Sequence, residues 1–145
     1  MNIRFIFFLS FSFLLFSCSS PKTKEKESAF QEVYELSEMA IIMENMYDFL
    51  NENRELIIEG QSILDIPDYF IEIHTAEMTE GFQRDTLLEN HTESFLWNIN
   101  RLENGENSDR IALFNNTITS CIACHKSEVG CTGPIPRIEK LLIKP

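Results

Sequence analysis

Three residues near the end of the chain have the type and spacing for cofactor or metal chemistry. Cys121, Cys124 and His125 form the pattern Cys-x-x-Cys-His within TSCIACHKSE. On a helix these positions are i, i+3 and i+4, so the three side chains project from one side of a single turn. Two thiols and an imidazole so placed suit covalent attachment of haem. The pattern predicts one haem c, bonded to Cys121 and Cys124 and ligated on its proximal side by His125.

Two other chemistries use the same residues. A zinc site would need Cys131 as the fourth ligand, but three ligands from one rigid helical turn would strain a tetrahedron. A redox disulfide between Cys121 and Cys124 would want a helix N-terminus to lower the thiol pKa, whereas this pair lies at a C-terminus. Both alternatives are therefore less favoured than haem.

The other end of the chain indicates the compartment. MNIRFIFFLSFSFLLFSC has one basic residue, then an apolar run that is too short for a comfortable membrane span, and then Cys18. Residues 1–17 are predicted to be a signal peptide. The stretch LFSC resembles the lipobox of bacterial lipoproteins, which implies that Cys18 is acylated; a plain cleaved signal is the alternative. Two or more acyl chains would anchor the protein stably to a lipid bilayer.

Residues 18–27 are polar and charged, which is typical of a flexible tether, and 28–145 form one helical haem-binding domain. The net charge of −11 argues against nucleic acid as a partner and favours a basic redox partner protein. We expect an extracytoplasmic protein, lipid-anchored to the cell membrane. Ser19 after the lipidated cysteine favours the outer membrane, facing the periplasm.

The chain has four cysteines. If Cys18 carries lipid, three remain, an odd number that does not suit a disulfide framework in an oxidising compartment. With Cys121 and Cys124 assigned to haem, Cys131 is expected to be a small buried residue near a turn, with a free thiol or an intermolecular disulfide as alternatives.

Apolar spacing predicts helices and no strands. The first helix has a seam of Ala29, Val33, Leu36, Ala40, Met43, Tyr47, Leu50 and Ile57, and Gly60 is its expected C-cap. The second is short, beginning near Pro67 and ending at about His74.

The third helix is capped by Asp85 or Thr86, and the fourth by Ser108 or Asp109. The core face of the third comprises Leu88, Thr92, Phe95, Ile99 and Leu102. The stripe of the fourth comprises Ile111, Phe114, Ile118, Cys121 and His125. Glycines and prolines after the motif force a turn. The apolar tail, Ile138, Leu141, Leu142 and Ile143, is expected to pack back on the helices.

These elements predict an all-α, four-helix-bundle-like domain with a short second helix and a C-terminal tail. A bundle whose last helix carries Cys-x-x-Cys-His resembles the cytochrome c prime group and its methionine-ligated relatives. The resemblance covers 28 to about 126 and rests on the architecture and the one motif. It implies electron transfer or binding of a diatomic gas.

The role depends on the sixth iron ligand. The methionine-ligated relatives take it from the first helix, which here holds Met39, Met43 and Met46, and the seam favours Met43 as the distal axial ligand. An open distal face is the main alternative, and His74 and His91 are further candidates. Four aromatic residues are candidates to line a haem pocket: Tyr47, Phe95, Trp97 and Phe114. Arg137 and Lys140 are candidates to pair with haem propionates.

The sequence thus predicts a membrane-anchored monohaem c-type cytochrome that carries electrons and is not an enzyme. One alternative is a five-coordinate haem protein that binds nitric oxide or another diatomic gas. The alternative from another class is a haem-free acidic lipoprotein that recruits a partner through its charged face.

Overall fold

Every element that the structure describes is helical. The structure is a computed structural model, and it describes residues 35–144. Three longer helices are α1 (Glu38–Ile58), α2 (Thr86–Asn104) and α3 (Arg110–Lys126). Shorter elements are the 3-10 helices Asp68–His74, Asn107–Asp109 and Glu139–Leu141, and α4 (Ile135–Ile138). The predicted all-α class is confirmed.

Several expectations lie outside the described residues. These are the signal peptide at 1–17, the lipidated Cys18, the tether at 18–27, and Ala29 and Val33 of the first seam. Within 35–144, no helix combines the length and the apolar character needed to cross a bilayer.

Both ends of α1 are set by local sequence. The Ser37 hydroxyl accepts a hydrogen bond from the backbone N–H of Ala40 at 3.2 Å, so residues 35–37 precede the helix instead of belonging to it. At the other end the C-cap is Glu59, one residue before the expected Gly60, and Gly60 follows it with a φ of 72° that suits glycine. The N–H of Gly60 donates to the Ile57 carbonyl, and the N–H of Gln61 donates to the Leu56 carbonyl. These two bonds form a Schellman motif.

The core-facing side of α1 differs from the predicted seam. Leu36 is 50 % exposed, and Ala40, Met43 and Tyr47 are only half-buried. The buried side comprises Met39, Ile42, Met46, Phe49, Leu50, Asn53 and Ile57. Only Leu50 and Ile57 belong to both sets. The prediction was wrong because MAIIM places apolar residues on adjacent sides of the helix, so a period of 3.6 fits more than one stripe.

The second predicted helix is a 3-10 helix of seven residues, with Pro67 as its N-cap. Its Phe70 is almost fully buried and packs edge-on against Phe49 of α1, with ring centroids 5.2 Å apart. The ring centroid of Phe95 on α2 lies 6.4 Å from that of Phe70. This short segment therefore joins α1 to α2 through aromatic contacts.

The prediction for α2 is confirmed in its cap and its core face. Asp85 accepts from the N–H of Leu88 at 2.8 Å, and the five predicted residues are the buried ones. For α3, Asp109 is the N-cap residue, without a side-chain hydrogen bond, and Phe114 and Ile118 are fully buried as expected. Ile111 is wrongly placed in the stripe, since it is 45 % exposed. Leu113, Thr117 and Ser120 are buried in addition.

The tail packs on the helices, as predicted. Ile138, Leu141 and Ile143 are buried, and Leu142 packs against the same core. The Asn115 side chain on α3 donates to the carbonyl of Ile143 and accepts from its N–H. Arg54 on α1 donates to the carbonyl of Leu141 at 3.1 Å. Polar side chains of two helices thus fix the backbone of the tail.

We expect Phe114→Ala to lower the free energy of unfolding by about 3–5 kcal/mol, because it opens a cavity at a fully buried position. Trp97→Ala is the matched control. Trp97 is 60 % exposed and contacts Arg101 through its ring at 4.6 Å, so the loss should stay below about 1 kcal/mol. Urea unfolding measures the loss of unfolding free energy in each variant. Equal losses in the two variants would contradict this assignment of the core.

Candidate functional site

The Cys-x-x-Cys-His motif lies in the last two turns of α3. Cys121, Cys124 and His125 are half-buried and all border one cavity, as their spacing on a helix requires. The helix ends directly after the motif, at Lys126. Ser127 closes it, since both its N–H and its hydroxyl donate to the Cys124 carbonyl, at 3.0 and 2.7 Å. The motif is therefore held by a regular helix end.

The imidazole of His125 is oriented by the turn that follows. Its Nδ1 lies 2.7 Å from the carbonyl oxygen of Cys131. A carbonyl only accepts hydrogen bonds, so Nδ1 carries the proton, and the neutral ring then has its lone pair on Nε2. In histidines that ligate a metal through one ring nitrogen, a hydrogen bond from the other ring nitrogen commonly fixes the orientation of the imidazole. The geometry makes Nε2 available as a ligand.

Gly130 allows the turn to approach the motif. A Cβ atom at this position would lie 2.6 Å from the Cα of His125 and closer still to the carbonyl oxygen of Cys124. Both neighbours are backbone atoms of α3 that cannot move aside easily. The turn reaches Cys131, and hence the His125 imidazole, only because residue 130 lacks a side chain.

The two motif thiols are protonated at neutral pH. Burial, with a smaller contribution from Cys124, raises the pKa of Cys121 to about 12. Burial, and then the neighbouring Cys131, raises the pKa of Cys124 as well. Thiol–disulfide exchange needs a thiolate. The environment of the pair therefore does not favour the redox-disulfide alternative.

The cavity beside the motif is bounded by α1, α2, α3, the 3-10 helix Asp68–His74 and the tail. Its apolar wall includes Met43, Met46, Leu50, Ile73, Leu88, Phe95, Ile138 and Leu141. Its volume is about 90 Å³. A flat apolar ligand larger than a few waters would have to push the lining side chains apart.

Several predicted residues meet at this cavity. Besides the motif, it brings together Met43, Met46, His91, Tyr47, Phe95 and Arg137. The other candidates lie elsewhere. Met39 is buried outside the lining, Phe114 belongs to the core, and Lys140 is exposed on the tail. Trp97 was wrongly predicted to line a pocket, because its position on α2 points to solvent instead.

His74 is engaged in an ionic cluster away from the cavity lining. Its Nδ1 lies 2.8 Å from a carboxylate oxygen of Glu89, and Arg84 lies 3.1 Å from the other oxygen. The hydrogen bond from His74, followed by that from Arg84, lowers the pKa of Glu89. Arg84 also donates to the carbonyls of Ile73 and Ala76. The cluster fixes the 3-10 helix at Asp68–His74 against α2.

Cys131 is exposed, so the expectation that it is buried was wrong. Residues 131–133 of the turn are all exposed, and Cys131 contacts α3 through its backbone carbonyl, which accepts a hydrogen bond from the His125 ring. Its sulfur lies 3.7 Å from Nδ1 of His125. Within residues 35–144, no three or more His, Cys, Asp or Glu side chains are grouped so as to hold a metal ion. A haem iron ligated by a single imidazole needs no such group.

Sequence reasoning named Arg137 of the tail as a site candidate, but it missed the other tail residues of the site and the partner of Arg137. Pro134, Arg137, Ile138 and Leu141 all line the cavity. Arg137 forms a two-point ion pair with Glu44 of α1, at 3.1 and 2.6 Å, and this contact raises the pKa of its guanidinium. The partners are 93 positions apart in the chain. No local pattern could have joined them.

Searches against protein-family models, curated proteins and solved structures gave no match to this chain. Its function is therefore argued from the site itself.

We expect Gly130→Ala to destabilise the chain by about 1–3 kcal/mol, because the added methyl group would overlap backbone atoms of α3. Gly133→Ala, in the same turn, has no atom within 4 Å of the new Cβ and should stay within about 0.5 kcal/mol of the parent. Thermal unfolding of both variants is the measurement. An unchanged midpoint for Gly130→Ala would refute the close approach of the turn.

Proposed function

We propose that this protein is a monohaem c-type cytochrome that carries electrons on the extracytoplasmic side of a membrane. One observation carries the proposal: Cys121, Cys124 and His125 border one apolar cavity, and the hydrogen bond from His125 to the Cys131 carbonyl leaves Nε2 free. Cys121 and Cys124 would hold the haem covalently, and His125 would be the proximal iron ligand.

The residues around the motif suit this cofactor. The wall is apolar and built mainly from three helices and the tail, so it would exclude water from a flat hydrophobic ring once its side chains had moved apart to admit the ring. Burial raises the pKa of both motif thiols, so they are protonated at neutral pH and react slowly in disulfide exchange. When bound, haem supplies the one-electron chemistry, while the chain supplies ligation, orientation and a dry pocket. The proposed role is electron transfer, with no group acting as a catalytic residue.

The proposed architecture is a cytochrome c prime-like four-helix bundle, with the 3-10 helix Asp68–His74 in place of a full second helix. It is supported by the three long helices α1, α2 and α3, and by the position of the Cys-x-x-Cys-His motif on α3, the last of the three. Because this 3-10 helix is short, the tail forms more of the cavity wall, including Ile138 and Leu141.

The distal ligand is proposed to come from α1. Met43 and Met46 both line the cavity, and Met43, being only half-buried, has more freedom to turn towards an iron. A thioether ligand opposite a histidine raises the reduction potential and suits electron transfer. The apolar wall around the methionines also supports the second candidate function, a five-coordinate haem that binds nitric oxide or a similar gas.

We place the protein on a membrane through acyl chains on Cys18, at the outer membrane facing the periplasm, with a basic protein as redox partner. The support is the apolar leader that ends at Cys18 and the net charge of −11.

Expression in a host with a covalent haem-attachment system should give a haem-staining band on a denaturing gel. The double variant C121A/C124A should lose the band, because both thioether positions are removed. Cys131→Ala is the matched control and should keep it, since this exposed residue is not among those lining the cavity. Absence of covalent haem on the unchanged chain would refute the proposal, and metal analysis of the purified protein would then test the zinc alternative.

Absorption spectra of the haem-loaded protein distinguish the two roles. We expect a low-spin spectrum with a methionine-to-iron charge-transfer band that disappears in Met43→Leu. Met39→Leu is the control, because Met39 is buried in the same helix but outside the cavity lining. A high-spin spectrum that shifts on addition of nitric oxide would instead favour gas binding.

A further inference from the structure

Arg137 is the one lysine or arginine among the cavity-lining residues of the described chain. It lies in α4, beyond the motif, in the part of the chain that the resemblance to cytochrome c prime does not cover. The rest of the wall is mainly apolar, and its only carboxylate is that of Glu44. The cavity therefore has a single charged position, made by Arg137 and Glu44 together.

Two neighbours hold the guanidinium in a defined orientation. The two Nη atoms donate to the two oxygens of Glu44, and the ring of Tyr47 lies under the guanidinium carbon at 3.6 Å. Tyr47 and Glu44 are on α1, so the contacts bridge the tail to the first helix. Stacking on an aromatic ring fixes the plane of an arginine without using its hydrogen-bond donors.

The ion pair between Arg137 and Glu44 can break so that Arg137 binds another carboxylate. The Arg137 side chain is 43 % exposed and that of Glu44 is 52 % exposed. An ion pair so exposed stabilises a fold little, so Glu44 loses little by turning to water. Arg137 has five N–H donors, and its planar fork fits any carboxylate as well as it fits Glu44.

We infer that Arg137 is a positioning residue that binds a propionate of the haem, and that Glu44 competes with this propionate for the guanidinium. The inference rests on the proposed function. A tetrapyrrole in an apolar cavity must keep its carboxylates paired or in water, since burying them unpaired is costly. The cavity wall offers one cation, and Tyr47 keeps it in place while the carboxylate partner changes.

The test compares iron protoporphyrin IX, which has two propionate carboxylates, with its dimethyl ester, in which both carboxylates are replaced by uncharged methyl esters. The host is the processed chain, residues 18–145, with Cys18→Ser to omit lipid and C121A/C124A to prevent covalent attachment. His125 stays in place. Dissociation constants come from absorption titrations of this parent and of its Arg137→Gln, Glu44→Gln and Lys140→Gln derivatives, with circular dichroism to verify folding.

Arg137→Gln should weaken binding of the diacid about tenfold and leave the ester unchanged, because a charge-assisted pair is lost only where a carboxylate is present. Glu44→Gln should strengthen binding of the diacid, since the competitor has lost its charge. Lys140→Gln, from an exposed position in the same segment outside the lining, should change neither.

Equal weakening of diacid and ester by Arg137→Gln would overturn the inference, since it would mean that the ion pair only supports the fold. Weaker diacid binding in Glu44→Gln would do the same. A parent that binds neither probe would also overturn it. The gel assay for covalent haem on the unchanged chain then decides separately whether the proposed function fails as well.

Discussion

The hydrogen bond between His125 and the carbonyl of Cys131 is the contact on which the rest of the site depends. The hydrogen bond forms only if the chain turns back directly after α3. This turn needs Gly130, because any side chain there would overlap the backbone of Cys124 and His125. The same turn sends the tail back over the helices. Without it, α4 would not reach α1, and the cavity would lose the wall that contains Ile138 and Leu141.

The tail is held by backbone contacts as well as by apolar packing. Asn115 makes two hydrogen bonds to Ile143, and Arg54 makes one to Leu141, so α3 and α1 each fix one point of the segment. Such specific contacts are directional and set the position of the segment, whereas apolar burial alone would allow it to slide. This is why a short tail can form part of a precise cavity wall.

The core-facing side could be predicted from local sequence for some helices and not for others. The core face of α2 follows from a single clear stripe beginning after Asp85, because most residues on the remaining sides are polar. In α1 the same reasoning selected the wrong side, since apolar residues at 39–43 leave two stripes equally plausible. Packing against Phe70 and α3 chooses between them. Trp97 and Cys131 were misjudged for a similar reason, as residue type alone does not say which way a side chain points.

The sequence by itself determined the helical class, the N-caps of α2 and α3, and the placement of two thiols and an imidazole on one helical turn. These depend on spacing and on contacts within a few residues, which the order of residues contains directly. Only the tertiary structure decided which methionines and which histidine face the motif, and it alone joined Arg137 to Glu44. Those relations depend on how distant segments pack, and burial is set by every neighbour at once.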